Sequence, residues 1–461
     1  MIDLLEYAVN IARELGASFA EARGEDSEST RIEVRDRVTK AISYGRIKGI
    51  SVRVLYNGAW GFSATSILSK DSIKKAVIEA YKVAKKASEK VREPVRIIEL
   101  PSVKDEVHSD VLVNPADVDP SEKVKDILEL HNIAFSLGKE VLKTIRTDYM
   151  DMMVIDYYVS SEDRCIVQER CITWIRSWAT GKLGAIMAVA REELGSTKGY
   201  VIFKKWSQER IAKRLLDIIK GQLEATTPKG GSFPAVLGPN VVGTFVHEAF
   251  GHLAEADLAL SGSAIVDKIG KKIASDYVTI VDDPTIPDGF GTFKYDHEGV
   301  ETRVAVLIEK GVVKGLMHNR ETAARINATP TGNARAESYD VMPLIRMRNT
   351  IMEKGDYTVD ELFEGIKFGY YLKSFRGGQA NLDGTFQVGI QEAYEIVNGE
   401  VGRPVRNMSI SGNTLETLMK VDAVAKDFEL DYGRCGKGQM AFVSSGGPHV
   451  RVKSILVGGR S

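Results

Sequence analysis

The sequence has little cysteine, no excess of one charge and no long apolar run. Only three cysteines occur in 461 residues, too few for a disulfide framework, so we expect a reducing, cytoplasmic environment. The 62 basic and 63 acidic residues nearly cancel, and no stretch concentrates one sign. Because nucleic-acid-binding surfaces need extra Lys and Arg to neutralise phosphates, we expect no nucleic-acid partner.

Apolar runs all fall short of the roughly 18 residues that a membrane-spanning helix requires. The first residues, MIDLLEYAVNIARELGA, place apolar side chains at helical spacing and carry acids early, unlike a secretory signal peptide. The sequence therefore predicts no membrane partner and an amphipathic helix at its start.

Composition divides the chain into two parts. The segment 226–234, TTPKGGSFP, contains two prolines and two glycines in nine residues, which is typical of a connection between domains. We place the boundary there, with an N-terminal domain at 1–225 and a C-terminal domain at 226–461. Helical periodicity near 70–90 and 121–142 alternates with strand-like stretches in the first part, and strands and turns dominate the second.

The segment Val246–Asp257, VHEAFGHLAEAD, contains the residues of a candidate metal site. His247 and His252 offer imidazole ligands, and Glu248 lies beside the first of them. Imidazole nitrogens are common zinc ligands, and a neighbouring carboxylate can act as the general base of a hydrolysis. The alternative is a helix that carries one exposed and one buried histidine without any metal.

The spacing of these histidines does not fit a regular α-helix. Residues at i and i+5 lie roughly 140° apart around the axis, so the two imidazoles cannot face one ion. A π-type turn would bring them together, and so would a distortion at Gly251, where the backbone has most freedom. We expect one of these two between His247 and His252.

A catalytic zinc site needs three protein ligands and one open position. The residues alone leave the third ligand open, and the candidates are Glu255, Asp257, His297, Glu298, His449 and Cys435. Cys435 lies in the glycine-rich segment YGRCGKGQ, which we interpret as a turn just before a strand. The flanking Arg434 and Lys437 favour the thiolate, the form that binds metal. Taken alone, Cys435 is equally well interpreted as an unreactive loop cysteine.

Several segments, taken in order along the chain, resemble the TldD branch of the TldD/PmbA metallopeptidases. They are GISVRVLYNGAWGFSAT, VHEAFGHLAEAD, VTIVDDPTIPDGFGTFKYDHEGVETR, TGNAR, RMRNT, GNTLE, CGKGQ and SSGGPHVRVKSILVGG. The resemblance implies an α+β fold of two domains, each mixing helices with largely antiparallel sheet, the second richer in strands. The cysteine segment is one residue shorter than the family pattern CGKxGQ, which leaves the path of its turn open.

The resemblance also implies a chemistry. Zinc-binding members of the family use HExxxH and a distant cysteine, which correspond to His247, His252 and Cys435, with Glu248 as the catalytic residue. We therefore expect a zinc-dependent metallopeptidase with one zinc per chain, hydrolysing unstructured peptides or small unfolded proteins inside an enclosed cavity. The expected assembly is a homodimer, or a heterodimer with a metal-less PmbA-like subunit.

Alternatives remain at two positions and for the function. His297 replaces an aspartate of the usual family pattern, and we interpret it as a surface residue rather than a support for a metal ligand. Glu255 either orients an imidazole or is a solvated helix residue. A non-catalytic partner subunit and a regulator of DNA topology are the competing functions. The intact ligand set argues against the first, and the balanced charge argues against the second.

Overall fold

The computed structural model describes residues 1–459. Strands make up 44% of the structure and helices 24%, and most strand pairs are antiparallel. The fold is therefore α+β, as the resemblance implied. No helix in these residues is long and apolar enough to cross a membrane.

The first half of the chain forms a seven-stranded sheet with helices packed on one face. Its elements are α1 (Ile2–Glu14), β1 (Phe19–Arg35), β2 (Val38–Tyr56), β3 (Ala59–Thr65), α2 (Lys70–Ser88), β4 (Val103–Val107), α3 (Pro120–Leu137), β5 (Leu142–Ser160), β6 (Arg164–Leu183), β7 (Ile186–Ser196), α4 (Ile202–Lys205) and α5 (Gln208–Glu224). The strand order is β3-β2-β1-β5-β6-β4, with β7 also paired to β6, and only the β4–β6 pair is parallel among those described.

Alternation of side chains across the long strands gives this sheet two different faces. On one face, α1 and α2 cover β1 and β2, while α3 and α5 cover β5 to β7. On the other face, Met150, Ile172 and Trp174 pack against Phe290 and Tyr432 of the second half. The two halves therefore share an apolar contact through the face that the helices leave uncovered.

The second half consists mainly of strands, with short helices. Its elements are β8 (Gly231–Leu237), α6 (Pro239–Thr244), α7 (Ala256–Leu260), β9 (Ile280–Asp282), β10 (Ala305–Glu309), β11 (Val312–Val313), α8 (Arg320–Ile326), β12 (Ala334–Arg335), β13 (Leu344–Ile345), β14 (Asn349–Met352), β15 (Phe368–Ala380), β16 (Thr385–Val397), β17 (Glu400–Val405), β18 (Met408–Asn413), α9 (Thr414–Met419), β19 (Val421–Val424), β20 (Glu429–Lys437), β21 (Gln439–Gly447) and β22 (Val450–Gly459).

These strands form two large sheets around one core. The first has the order β11-β10-β9-β14-β21-β20, and β20 lies at its edge. In the second, β15, β8, β22, β18 and β16 pair successively, and β16 pairs back to β15, which closes a ring of pairings. The helical segment after β8 packs between the sheets, with Val246 and Phe250 fully buried in the core.

The proline- and glycine-rich segment 226–234 is partly strand. Its residues from Gly231 onward belong to β8, which pairs with β15 and β22. Thr226 also forms an isolated bridge with Val405. The connection between the halves is thus held by hydrogen bonds, and the division into domains at this point stays a prediction.

Candidate metal centre

The helical segment that carries both histidines starts directly after β8. Gly238 ends the strand, and Pro239 occupies the first position of α6, where its missing N–H and its restricted φ suit a helix start. α6 is followed by a π-helical turn over Phe245–Phe250 and a 3-10 turn over Gly251–Ala254. Short, tightly buried helical pieces thus lead from the sheet into the site.

The π-helical turn confirms one of the two geometries predicted from the histidine spacing. Hydrogen bonds in a π-helix join residues i and i+5, so His247 and His252 come round to the same side. Gly251 has another role than the one we expected. Its φ of −55° is ordinary for a helix, but a Cβ there would meet the Met347 sulfur at 2.1 Å. Glycine at this position therefore leaves room for the Met347 side chain.

A threonine from a distant segment anchors the π-helical turn. The Thr414 hydroxyl donates to the Ala249 carbonyl at 2.9 Å and is fully buried. Thr414 belongs to the GNTLE segment, where α9 begins. Because a π-helical turn is irregular, a side-chain donor to one of its carbonyls stabilises it against relaxing to an α-helix.

Cys435 lies within a strand rather than in a turn, which corrects the interpretation of YGRCGKGQ. It is part of β20, where it is paired with Ala441 of β21. The turn itself is centred on Gly438, whose φ of +68° lies in the left-handed region that glycine adopts without strain. The missing residue of the family pattern therefore gives a tight hairpin, and the cysteine keeps a regular strand position.

The structure brings His247, His252 and Cys435 together. One ligand atom from each residue lies within 4.8 Å of the others, and Cys435 Sγ is 3.4 Å from His252 Nε2. Bonds of about 2.0–2.3 Å place the ligands of a tetrahedral zinc ion roughly 3.3–3.7 Å apart, so the Cys435–His252 pair already has this spacing. His247 Nδ1 is buried without a hydrogen-bond partner within 1–459, which ordinarily calls for a ligand or water. The three residues therefore fit a zinc ion.

The three groups also match one another electrostatically. Burial would raise the pKa of the Cys435 thiol, but the neighbouring His247 and His252 rings lower it to about 5. Burial would lower the pKa of His252, but Cys435 and Glu255 raise it to about 10, and Cys435 raises that of His247. Cys435 is thus a thiolate at neutral pH, and the cause is the two imidazoles rather than the flanking Arg434 and Lys437.

Glu255 supports His252 from behind. The Glu255 side chain is fully buried, and its Oε2 lies 2.8 Å from His252 Nδ1, so the interpretation as a solvated residue is wrong. The Lys437 ammonium lies 3.3 Å from the same carboxylate and donates to both oxygens of Asp257 at 2.8 Å. A carboxylate in this place orients the imidazole and selects the tautomer with Nε2 free for a metal.

The other candidate ligands have partners other than the two histidines. Asp257 binds Lys437, and Glu298 forms an ion pair with the buried Arg53 at 2.8 Å. The two ring nitrogens of His449 form hydrogen bonds with the Tyr371 hydroxyl and the Asp427 carboxylate. His449 also lines the cavity described below. Among the described residues, none of these three side chains lies close enough to both His247 and His252 to share a metal ion with them.

His297 is not a surface residue, contrary to our interpretation. Only 12% of its side chain is exposed, and its Nδ1 accepts from the Ala336 amide at 2.9 Å. Burial holds the pKa of His297 well below the usual range. The Asp156 carboxylate, 3.6 Å away, raises this pKa but does not offset the effect of burial. The residue therefore belongs to the contact between the two halves.

A cavity of about 930 Å³ opens onto His247 and Glu248. The Glu248 side chain is one-third exposed, and its Oε2 lies 3.9 Å from His252 Nε2. β15 and β20 of the second half line the cavity, as do β7 and α5 of the first half. Glu248 is thus the acid that reaches solvent beside the three candidate ligands, as a general base must.

The contribution of the first half was missed by the sequence reasoning. Arg191 and Glu192 of β7 and Arg214 of α5 line the cavity, and Arg214 joins the two halves through an ion pair with Glu392. The polar face of α5 has an ordinary amphipathic pattern. Nothing in that pattern distinguishes a cavity wall from a solvated surface.

A largely buried His–His–Cys set beside a cavity that His247 and Glu248 line is the arrangement of a metallopeptidase-type centre. Family descriptions support this class. "PmbA/TldA metallopeptidase C-terminal domain" matches residues 230–459, and "PmbA/TldA metallopeptidase domain 1" matches residues 20–84.

Relatives match over nearly the whole chain. A zinc metalloprotease TldD homolog of Saccharolobus solfataricus is 39% identical, covering 97% of this chain and 98% of the relative. A metalloprotease of Methanothermobacter thermautotrophicus is 38% identical, covering 96% and 95%. The chain belongs to the PmbA/TldD family, and it is a metallopeptidase.

Solved structures share the fold at lower identity. TldE from Thermococcus kodakarensis matches with a TM-score of 0.82 at 19% identity, covering 99% of this chain and all of the other. A putative modulator of a DNA gyrase from Thermotoga maritima matches with a TM-score of 0.81 at 19% identity, covering 99% of both chains. These two similarities establish the fold alone.

Proposed function

We propose that this metallopeptidase holds one zinc per chain through His247, His252 and Cys435 and hydrolyses unstructured peptides or small unfolded proteins. The observation that carries the proposal is the convergence of the three ligand atoms to within 4.8 Å beside a cavity that His247 and Glu248 line. A zinc ion bound there would polarise the scissile carbonyl and lower the pKa of a bound water to about 7.

Glu248 is the catalytic residue in this proposal. Its carboxylate takes a proton from the attacking water and delivers it to the leaving amine, which requires access to solvent and to the scissile bond. Glu255 keeps the His252 ring oriented through their 2.8 Å hydrogen bond. The two carboxylates thus have different roles because one is one-third exposed and the other fully buried.

Free strand edges favour an extended substrate. Within the described strands, β20 pairs only with β21, and β7 pairs only with β6. Residues of both edges line the cavity, so an unfolded peptide can add to an edge through main-chain hydrogen bonds without its sequence being recognised. A folded substrate has its main-chain groups already paired and cannot bind in this way.

The test combines metal analysis with two glutamate variants. Native chain purified with zinc supplied should contain about one zinc by elemental mass analysis and cleave a disordered peptide. Glu248→Gln should keep the metal and lose roughly 10²–10⁴-fold in kcat, the usual contribution of a general base. Glu429→Gln, which changes another acid of the cavity wall, is the matched control and should keep most of the activity.

Three outcomes would each contradict a part of the proposal. A native chain that stays free of metal would refute zinc dependence. Equal cleavage rates for a small disulfide-bonded protein in its oxidised folded form and its reduced unfolded form would refute the preference for unstructured substrates. Full activity in Glu248→Gln would assign the general base to another residue.

The proposal extends to assembly and compartment. The sequence resemblance to the TldD branch supports a homodimer or a heterodimer with a metal-less PmbA-like subunit, located in the cytoplasm. Light scattering of the chain alone, and mixed with such a subunit from the same organism, would distinguish the two assemblies. A monomer under both conditions would contradict them.

A further inference from the structure

Two sequence segments without an assigned role, TGNAR and RMRNT, meet beside the hairpin that carries Cys435. Arg346 opens the second of them and is 1% exposed. Its Nη2 donates to the Cys435 carbonyl at 2.7 Å, and its Nη1 donates to the Gln439 carbonyl at 2.6 Å. A single planar guanidinium therefore binds both strands of the hairpin, one on each side of the turn at Gly438.

The hairpin needs such an external support. Gly433, Gly436 and Gly438 give β20 and its turn little side-chain packing, and glycine in a strand weakens it. A Cβ built at Gly433 or Gly438 would meet nothing within 4 Å. Lys437 and Gln439 fix the turn through Asp257 and the Met342 carbonyl, and Arg346 binds the backbone of Cys435 itself.

Arg346 has no neutralising partner, which sets it apart from its neighbour. Arg348 forms a fully buried ion pair with Asp282 at 2.7 Å. Arg346 binds only carbonyl oxygens, and within 1–459 it forms no ion pair. Burying an unpaired charge is costly, so a residue of this kind is retained where it serves a specific purpose. Here the guanidinium joins the strand that bears Cys435 to the strand paired with it.

We propose that Arg346 is a positioning residue for the metal centre. Its guanidinium holds the hairpin at the place where Cys435 Sγ reaches the two histidines. The inference rests on the proposed metal-dependent function. According to this inference, Arg346 contributes to the metal affinity although it is not itself a ligand.

The experiment titrates the metal-free full chain with Co²⁺ and follows the sulfur-to-cobalt charge-transfer absorption. Arg346→Met keeps the volume and removes the donors and the charge. We expect roughly 10–100-fold weaker cobalt binding, as for other groups that orient metal ligands, and a charge-transfer band reduced in intensity at saturation. A purely structural role would leave the band of the bound metal unchanged.

Arg335→Met is the matched control. Arg335 is 6% exposed, donates to the carbonyls of Met347 and Phe442, and likewise forms no ion pair in the described part of the chain. It does not contact the Cys435 carbonyl. The control should lose a comparable amount of stability yet bind cobalt within roughly threefold of the native affinity, with an unchanged band.

A second variant covers the case in which Arg346→Met fails to fold. Arg346→Lys keeps the charge with a single donor group, so it should bind cobalt with intermediate affinity and a weakened band. Native affinity and band in whichever Arg346 variant folds, or an equal loss in Arg335→Met, would overturn this inference alone. A native chain without any cobalt–thiolate band would overturn the proposed function as well.

Discussion

Two pairs of buried histidines in this chain have opposite properties. Burial lowers the pKa of His131 and His318 to about 4, and their side-chain partners are the neutral hydroxyls of Thr147 and Thr322. Burial acts on His247 and His252 of the proposed metal centre too, but Cys435, together with Glu255 at His252, outweighs it and raises both pKa values.

The difference teaches that burial does not identify a metal ligand. A buried imidazole among neutral groups stays uncharged and serves the fold. A buried imidazole that faces a thiolate and a carboxylate binds a cation more favourably, and this cation can be a proton or a metal ion. The chemical character of the neighbours, which come from distant segments, therefore separates the two classes.

The strongest test removes the anion from the centre. Cys435→Ser replaces a thiolate with a hydroxyl that stays protonated at neutral pH, so we expect the zinc content to fall from about one per chain to nearly none. Elemental mass analysis of the purified variant measures this. Cys165→Ser, at a half-buried strand position, is the control and should retain the metal. Undiminished zinc in Cys435→Ser would show that another group completes the ligand set.

A second test addresses the structural histidines through acid. The folded pKa of His131 is about 4, below the 6.5 of the free side chain, so below pH 6.5 the unfolded chain binds a proton that the folded chain does not. Stability from this residue is complete above pH 6.5 and is lost as the pH falls towards 4, by at most about 3 kcal/mol.

The measurement is denaturant unfolding of the metal-free chain at pH 7, 5.5 and 4.5. His131→Gln should be less stable than the native chain at pH 7 but should show a smaller loss on acidification. An identical loss in both chains would mean that His131 titrates normally in the fold.

A smaller effect is expected from the carboxylate behind His252. Glu255→Gln keeps the shape and a hydrogen-bond acceptor but removes the negative charge, so we expect zinc affinity to fall roughly 10–100-fold. Competition with a chromophoric chelator measures the affinity. The exposed Glu400→Gln serves as control and should bind zinc as the native chain does. Unchanged affinity in Glu255→Gln would mean that Cys435 alone distinguishes the metal histidines.

The geometry of the segment from His247 to His252 was predictable because it depends on the spacing of residues that are close in the sequence. The spacing of His247 and His252 excluded a regular helix and left two predicted geometries, one of which is the π-helical turn that the structure contains. The strand position of Cys435 was not predictable, since the turn at Gly438 depends on the hairpin register. The prediction that Arg434 and Lys437 favour the Cys435 thiolate was wrong about the cause. The sequence shows the residues next to Cys435 in the chain, but it does not show that His247 and His252 lie next to it in space.

Long-range parts of the site gave no usable signal. Arg346 binds the Cys435 carbonyl across 89 positions, and the side chains of α5 line the cavity from the other half. Such contacts depend on tertiary packing, and the residue pattern around one position does not show which distant segment will pack against it. The α+β class was predictable from the resemblance, but the ring of strand pairings was not, because register and pairing partners are set by the whole core.

The ring of pairings has a consequence for how the enzyme is made. β8 leads directly into the helical segment of the metal centre, and both of its neighbours arrive much later during synthesis. Tyr371 of β15 pairs with Val236, and Val450 of β22 pairs with Leu237. Contacts between such distant segments form slowly. A nascent chain that ends before β22 therefore carries the His247–His252 segment while β8 still lacks one of its two neighbouring strands.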